Sequence, residues 1–369
     1  MPSREADSPA QRGRRLATRY LPASAAASRV SRKGLAKVVV AVVAVTTVVS
    51  VPVVTNDQYV LDVLCECGLF VLLACGLNIV VSLAGLLDLG YIAFWAVGAY
   101  VSALLSSNQF NLFLPFPAIV IAALLATSFF AIVIGLPTLR LRGDYLAIVT
   151  LGFGEIVRIA LINGGAITGG PSGIQGIARP SLLGFQFTYD LTPYYYLISI
   201  LCGIALVLGY LIRQSRLGLI WQALRDDELA ARTVGLRPLK YYLMAFGIGA
   251  AFAGVSGMVF ASLQIAISPD SFIVNQSFLV LAIVVLGGMT GKFWPVALSA
   301  LIVVGLPEAL RGLQDYRLVV FGPILVAVII LRERWAQVRA LLFASFAGVW
   351  GRWARRPIGL AEMEDGSHS

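Results

Sequence analysis

The residues able to do chemistry here are a few charged and amide side chains set among apolar neighbours. Asp88 lies in GLLDLG (85–90), and Glu155 and Arg158 lie three apart in TLGFGEIVRI (150–159). Asp62 and Glu66 lie four apart in LDVLCEC (61–67). A charge at mid-bilayer costs about 2.5–3.5 kcal/mol on insertion scales, so such side chains, if these runs cross a membrane, face a pathway or a partner. Glu155 and Arg158 share one side of a helix and can neutralise each other; Arg158 could instead clamp a carboxylate. Asp88 sits at a break between two apolar runs, and broken helices often mark transport pathways. It fits a gate or the N-cap of the next helix. Asp62 and Glu66 fit a docking site or the headgroup level. Asn78 is a candidate for a hydrogen bond between helices.

Other chemistries lack their residues. His368 is the only histidine, which excludes a mechanism needing a buried one. Cys65, Cys67, Cys75 and Cys202 lie in apolar runs and read as small hydrophobes rather than metal ligands. GGMTGK (287–292) imitates a phosphate loop, but Leu286 stands where the first glycine belongs and Phe293 where the magnesium-binding hydroxyl belongs. Gly152 and Gly154 form a lone G-x-G inside an apolar run, which suits close helix packing.

The elements that must position these groups follow from composition. The 369 residues are 59% hydrophobic and 13% charged, with a mean hydropathy of +0.86. Soluble domains are roughly 45–50% apolar and about 25% charged. Intrinsic disorder of the bulk and a soluble enzyme are both excluded, leaving an all-α polytopic membrane protein. A span needs about 20 apolar residues. Apolar runs at 35–54, 59–106 (two spans divided by the break at 85–90), 116–138, 146–162, 192–212, 241–265, 276–290, 293–307 and 316–331 predict about ten transmembrane helices.

Charge orients them. With the N-terminus inside, alternation places 24 of the 28 Lys and Arg on the cytoplasmic side, as cytoplasmic loops require. Both termini are then cytoplasmic, and the net charge of +9 is an orientation signal rather than a nucleic-acid footprint. Residues 1–34 read as a basic disordered cytoplasmic tail, with an organelle transit peptide as the alternative. Residues 35–333 form the transmembrane domain. Residues 334–369 form an amphipathic, basic cytoplasmic tail that suits a helix lying on membrane lipid; an eleventh short span is the alternative.

The longest internal loop on the cytoplasmic side, 213–240, predicts two short helices. Leu219, Ile220, Ala223 and Leu224 recur at helical spacing, and Asp226, Asp227 and Glu228 can cap a second helix. Ala230, Ala231 and Val234 give that helix a narrow apolar face. Gly235 can end it and Pro238 stop it. Connectors of this length usually carry a role, so the loop predicts a docking surface for a soluble partner.

This loop, SRLGLIWQALRDDELAARTVGL (215–236), resembles the coupling loop of permease subunits of bacterial ABC importers, the branched-chain amino acid permeases of the LivM type in particular. GLNIVVSLAGLLDLGYIAFWAVGAY (76–100), LRLRGDYLAIVTLGFGEIVRI (139–159), TGGPSGI (168–174), ISPDSF (267–272) and VVLGGMTG (284–291) are similar to further family motifs. The long basic N-tail and the charged turn GGMTGKFW depart from the pattern. The resemblance implies the ABC importer permease fold in a bacterial inner (plasma) membrane, and no catalysis by this chain. It implies a second related permease subunit, two ABC ATPase subunits carrying ATP and magnesium, and a periplasmic substrate-binding protein. The cargo would be branched-chain or other amino acids, or urea and short amides. The ATPases would meet Arg216, Leu217, Gly218, Trp221, Leu224, Arg225, Asp226, Asp227, Glu228, Ala230, Ala231 and Gly235. Asn78, Asp88, Tyr91, Glu155 and Arg158 are candidates for the substrate path, and Thr168, Gly169, Gly170 and Pro171 for the outer mouth or the binding-protein contact. The rival expectation is a self-contained secondary transporter or channel for small polar solutes, with Asp88 and Glu155 as its ion or proton groups.

Overall fold

The computed structural model describes Pro52 and residues 57–107, 114–141, 143–179, 181–182, 185–186 and 190–309. The chain divides into two units, Met1–Leu61 and Asp62–Ser369. The described helices belong to the second unit, apart from the first turn of α1. The predicted first and tenth spans and both tails lie outside the described residues.

Ten α-helices are described. α1 (Gln58–Asn78) runs on as a π-helical turn, Ile79–Leu83. α2 (Ile92–Ser106), α3 (Phe116–Thr138) and α4 (Asp144–Asn163) follow. Then come α5 (Thr192–Gln214), α6 (Arg216–Asp226), α7 (Glu228–Thr233), α8 (Pro238–Gln264), α9 (Val274–Gly287) and α10 (Phe293–Ala309). Six described stretches are long and apolar enough to cross a membrane: Gln58–Leu83, α3, α4, α5, α8 and Pro269–Gly287. α2 and α10 are apolar but shorter. The all-α expectation needs one small amendment. An antiparallel pair of two-residue strands, β1 (Ser181–Leu182) and β2 (Phe185–Gln186), stands in the 164–191 connection. Pro238 also differs from expectation, because it opens α8. A proline at the first helical position lacks only an N–H that has no partner there anyway.

α8 lies against α2 and α3 at the centre of the bundle. Small residues permit this. A Cβ on Gly98 of α2 would strike the Gly254 backbone, and one on Gly257 would strike Trp95. Such contacts drive helix association where lipid removes the hydrophobic incentive. Conversely, Leu125 and Phe129 of α3 and Ile200 and Val207 of α5 stay exposed, as lipid-facing residues do. The G-x-G of α4 splits: Gly154 packs on Gly90, while Gly152 faces open space.

The connections sort to two ends. At one end lie 84–91, 139–141, 215–237 and 288–292. Arg225 bonds the Ser82 and Met289 carbonyls, Asn78 bonds the Lys292 carbonyl, and Leu139, Arg140 and Leu141 share a cavity wall with Gly85 and Leu224. At the other end, Ser107 pairs with Ile177 and Ile174 with Ile267, and Arg158 meets Asp270. Arg140, Arg213, Arg216, Arg225, Arg232, Arg237, Lys240 and Lys292 all gather at the first end.

Candidate functional site

The loop between α5 and α8 folds as two short helices with explicit caps. Ser215 caps α6, its Oγ accepting from the Gly218 N–H at 3.4 Å. Asp227 caps α7, its Oδ1 accepting from the Ala230 N–H at 3.0 Å. Gly235 follows in the left-handed region with φ +85°, where a side chain would be strained. Glu228 and Arg232 form an i,i+4 ion pair at 2.6 Å along α7.

One face of this pair of helices is an anchor. Trp221 is fully buried, and its Nε1 donates to the Tyr241 carbonyl at 2.8 Å. Leu224 and Ala231 are buried too, and a Cβ on Gly218 would strike the Ile212 and Arg213 carbonyls. Arg225 reaches inward. Its Nη1 donates to the Ser82 carbonyl and to the Met289 carbonyl, the latter at 3.0 Å, and its stem lies against Gly85. Gly218, Trp221, Leu224 and Ala231 therefore bind the loop to the bundle, and Arg225, although exposed, bonds to it as well. Leu217 is half-buried. Arg216, Asp226, Asp227, Ala230 and Gly235 are exposed, and Glu228 is partly so. The outward face is led by three apolar residues: Leu219 (62% exposed), Leu229 (70%) and Val234 (79%). Helical spacing assigns Leu219 and Val234 to core-facing stripes, and Leu229 has no place in either stripe.

Arg225 connects to an irregular stretch. The π-helical turn closes with Ala84 N–H on the Ile79 carbonyl at 3.1 Å, and Leu86 N–H reaches the Val80 carbonyl at 3.1 Å. π-turns recur at functional sites. Asn78 is buried, and its Nδ2 donates to the Lys292 carbonyl at 3.4 Å. The 288–292 turn needs positive φ at Gly288, Met289 and Gly291. GGMTGK is thus a helix-to-helix turn, not a strand-to-helix phosphate loop. Between 84–87, 139–141, 143–146, α6, α7 and the start of α8 lies a cavity of about 580 Å³.

The remaining candidates fall into place separately. Asp88 is buried in the break, outside the spanning helices, and its Oδ1 accepts from the Gly90 N–H at 2.9 Å. This is a local turn two residues long, so Asp88 is not the N-cap of α2; Tyr91 holds that position without a side-chain bond. Burial pushes the Asp88 carboxyl up to about 6, against the opposing pull of the Gly90 N–H. Tyr91 is buried, its hydroxyl donating to the Gly249 carbonyl at 2.6 Å, so it ties α2 to α8. Glu155 and Arg158 form the expected intrahelical pair, at 2.6 Å from Nη2 and 3.0 Å from Nε. Arg158 Nη1 also meets Asp270 at 3.3 Å, a partner hidden from the sequence because 112 residues separate them. Thr168, Gly169, Gly170 and Pro171 form a tight turn. Thr168 Oγ1 donates to the Leu161 carbonyl at 2.6 Å, and Gly169 and Gly170 hold positive φ. No group of metal-binding side chains occurs among the described residues.

The family described as "Branched-chain amino acid transport system / permease component" matches residues 59–329. The chain belongs to this family. The "High-affinity branched-chain amino acid transport system permease protein LivM" of Salmonella typhimurium (strain LT2) is 43% identical over 292 residues, 72% of this chain and 67% of that protein. Its Escherichia coli (strain K12) counterpart is 43% identical over 289 residues, with the same coverage. A more distant relative is the "Autoinducer 2 import system permease protein LsrC" of Salmonella paratyphi B, 28% identical over 141 residues and 38% of each chain. No solved structure matches the chain. The matched segment of this permease holds all of these candidate residues, and its apolar helices make it a multi-pass membrane protein.

Proposed function

We propose that this permease is the transmembrane subunit of an ATP-driven ABC importer in a bacterial inner membrane. It works with a second related permease, two ATPase subunits and a periplasmic binding protein, and carries branched-chain or related amino acids. The end holding eight of the ten described basic residues is cytoplasmic, as the positive-inside rule requires. ATP and magnesium act on the partner ATPases.

The observation that carries this reading is the two-sided α6–α7 loop. Its inner face is locked to the bundle by Trp221 and Arg225, while Leu219, Leu229 and Val234 project outward at the basic end. Large apolar residues left exposed on an anchored element suit a protein partner. ATPase movement would press on these residues. The anchor would pass it to the π-helical turn and to the 288–292 turn. Helices α1, α9 and α10 would then shift between outward-open and inward-open states.

The test is contact. The full chain carrying Val234→Cys is co-expressed with the ATPase and permease subunits of its proposed assembly and treated with a short thiol cross-linker. A cross-link to the ATPase that changes on ATP binding is expected. Co-purification without any cross-link from Val234 or Leu229 positions overturns the docking assignment.

A further inference from the structure

We infer that Glu155, Arg158 and Asp270 form an exchange site for a zwitterion, at which the α-carboxylate and α-ammonium of a free amino acid replace the protein's own ion pairs. This rests on the proposed transport function and assigns the place where the chain reads its cargo.

The position comes first. Arg158 stands five residues before the end of α4, so about 8 Å of helix separate it from the end opposite the basic loops. Glu155 is one turn deeper. Both are partly exposed on the flank of the helix rather than sealed between helices. Charges at such depth do not face lipid tails, so this flank of α4 meets water or a partner chain. A water-filled path along it satisfies the ion pair and gives cargo access.

The pairing comes second. Arg158 gives Nε and Nη2 to Glu155 at 2.6–3.1 Å, while Nη1 reaches Asp270 only at 3.3 Å. Asp270 is the most exposed member, with 78% of its side chain accessible. The guanidinium fork is built for carboxylates and can accept a substitute for either partner. One cation faces two anions, so the cluster carries an unbalanced negative charge. An incoming zwitterion supplies both complements. Its carboxylate takes the fork in place of Glu155 or Asp270, and its ammonium takes the carboxylate so released. Each group that gives up a partner gains another, and the net charge of the cluster is unchanged. A neutral amide offers neither half, and a bare carboxylate would strand an anion next to two others.

Apolar surroundings come third. Ile159, one turn beyond Glu155, is exposed, as is Ile273, which follows the Pro269–Phe272 turn that carries Asp270. A branched aliphatic side chain finds apolar surface beside the charged cluster.

The experiment uses the intact assembly of this chain with its partner permease and ATPases, without the binding protein. Equilibrium binding of labelled leucine is measured in detergent, with valine, isovaleramide and isovalerate as competitors. Leucine is expected to bind saturably and to be displaced by valine, while the amide and the acid compete at least about tenfold less well, as loss of one charge-assisted pair implies. Arg158→Gln and Glu155→Gln are each expected to weaken leucine binding by about tenfold or more and to erase the preference over isovaleramide. Glu155→Gln keeps the size of the side chain and serves if Arg158→Gln fails to assemble. A role confined to holding the fold would lower thermal stability and leave the competitor ranking intact, which overturns the inference. Absence of saturable leucine binding by the wild-type assembly overturns it as well. The two claims fail separately. Normal leucine uptake by assemblies whose variants keep the wild-type ranking removes only the exchange site. No ATP-driven uptake of any amino acid by the wild-type assembly, with its binding protein added back, removes the proposed function.

Discussion

Replacing Arg225 by Gln should separate ATPase docking from transport. The guanidinium joins α6 to two other elements through the Ser82 and Met289 carbonyls. A hydrogen bond from a charged donor contributes about 1.5–3 kcal/mol. Part of this side chain is exposed, so water replaces some of what is lost, and about 2 kcal/mol for the whole strut is a fair working value. A link of that strength holds a two-state contact closed roughly thirtyfold over open. Arg225→Gln should therefore leave the outward residues Leu219, Leu229 and Val234 in place while loosening the path from α6 to the π-helical turn. The assay is proteoliposomes of the full assembly, with ATP hydrolysis and labelled leucine uptake measured together. The expected result is normal ATPase co-purification, with several times more ATP hydrolysed per leucine carried. Loss of ATPase association would mean that Arg225 belongs to the docking surface after all. An unchanged ratio would refute the strut.

Leu229→Glu or Val234→Glu should do the reverse, releasing the ATPases on purification while the permease pair stays folded. Trp221→Ala should cost about 3–5 kcal/mol of stability, as deletion of a buried aromatic does, and a thermal melt in detergent should show α6–α7 becoming protease-sensitive; wild-type melting would contradict the anchor. Asp88 gives a pH signature. Its folded-state pKa is raised to about 6, so between about 4 and 6 the native state holds a proton that the unfolded chain has released. Stability should fall as pH rises through that window. Asp88→Asn, which keeps the acceptor for the Gly90 N–H, should flatten the profile, and parallel profiles would contradict the assignment.

How far the sequence can be read depends on the range of the interaction. Apolar runs and turn glycines are local signals, and eight of the predicted spans coincide with described helices, including the short α2 and α10. The caps of α6 and α7 are equally legible, because Asp227 acts on an N–H three residues away. The π-helical turn is not legible, since Ile79–Leu83 reads as an ordinary continuation of an apolar helix. The contacts of Arg225 are hidden for a different reason. The residue is exposed, as its place in a polar loop suggests, but the Ser82 and Met289 carbonyls that it bonds lie 143 and 64 residues away. Asp270 joins the Glu155–Arg158 pair in the same manner. Apolar exposure, by contrast, misleads. Leu219 and Val234 fit a core-facing stripe by spacing, yet the wider anchor of Trp221 and Leu224 takes the core side and leaves them outside.

The most direct test of the account is leucine uptake by proteoliposomes, comparing the complete assembly with the chain alone. Accumulation that requires ATP on the α6–α7 side, and that disappears when the ATPases are omitted or when Leu229→Glu is introduced, is the predicted result. Gradient-driven uptake by the chain alone, indifferent to ATP, would contradict it.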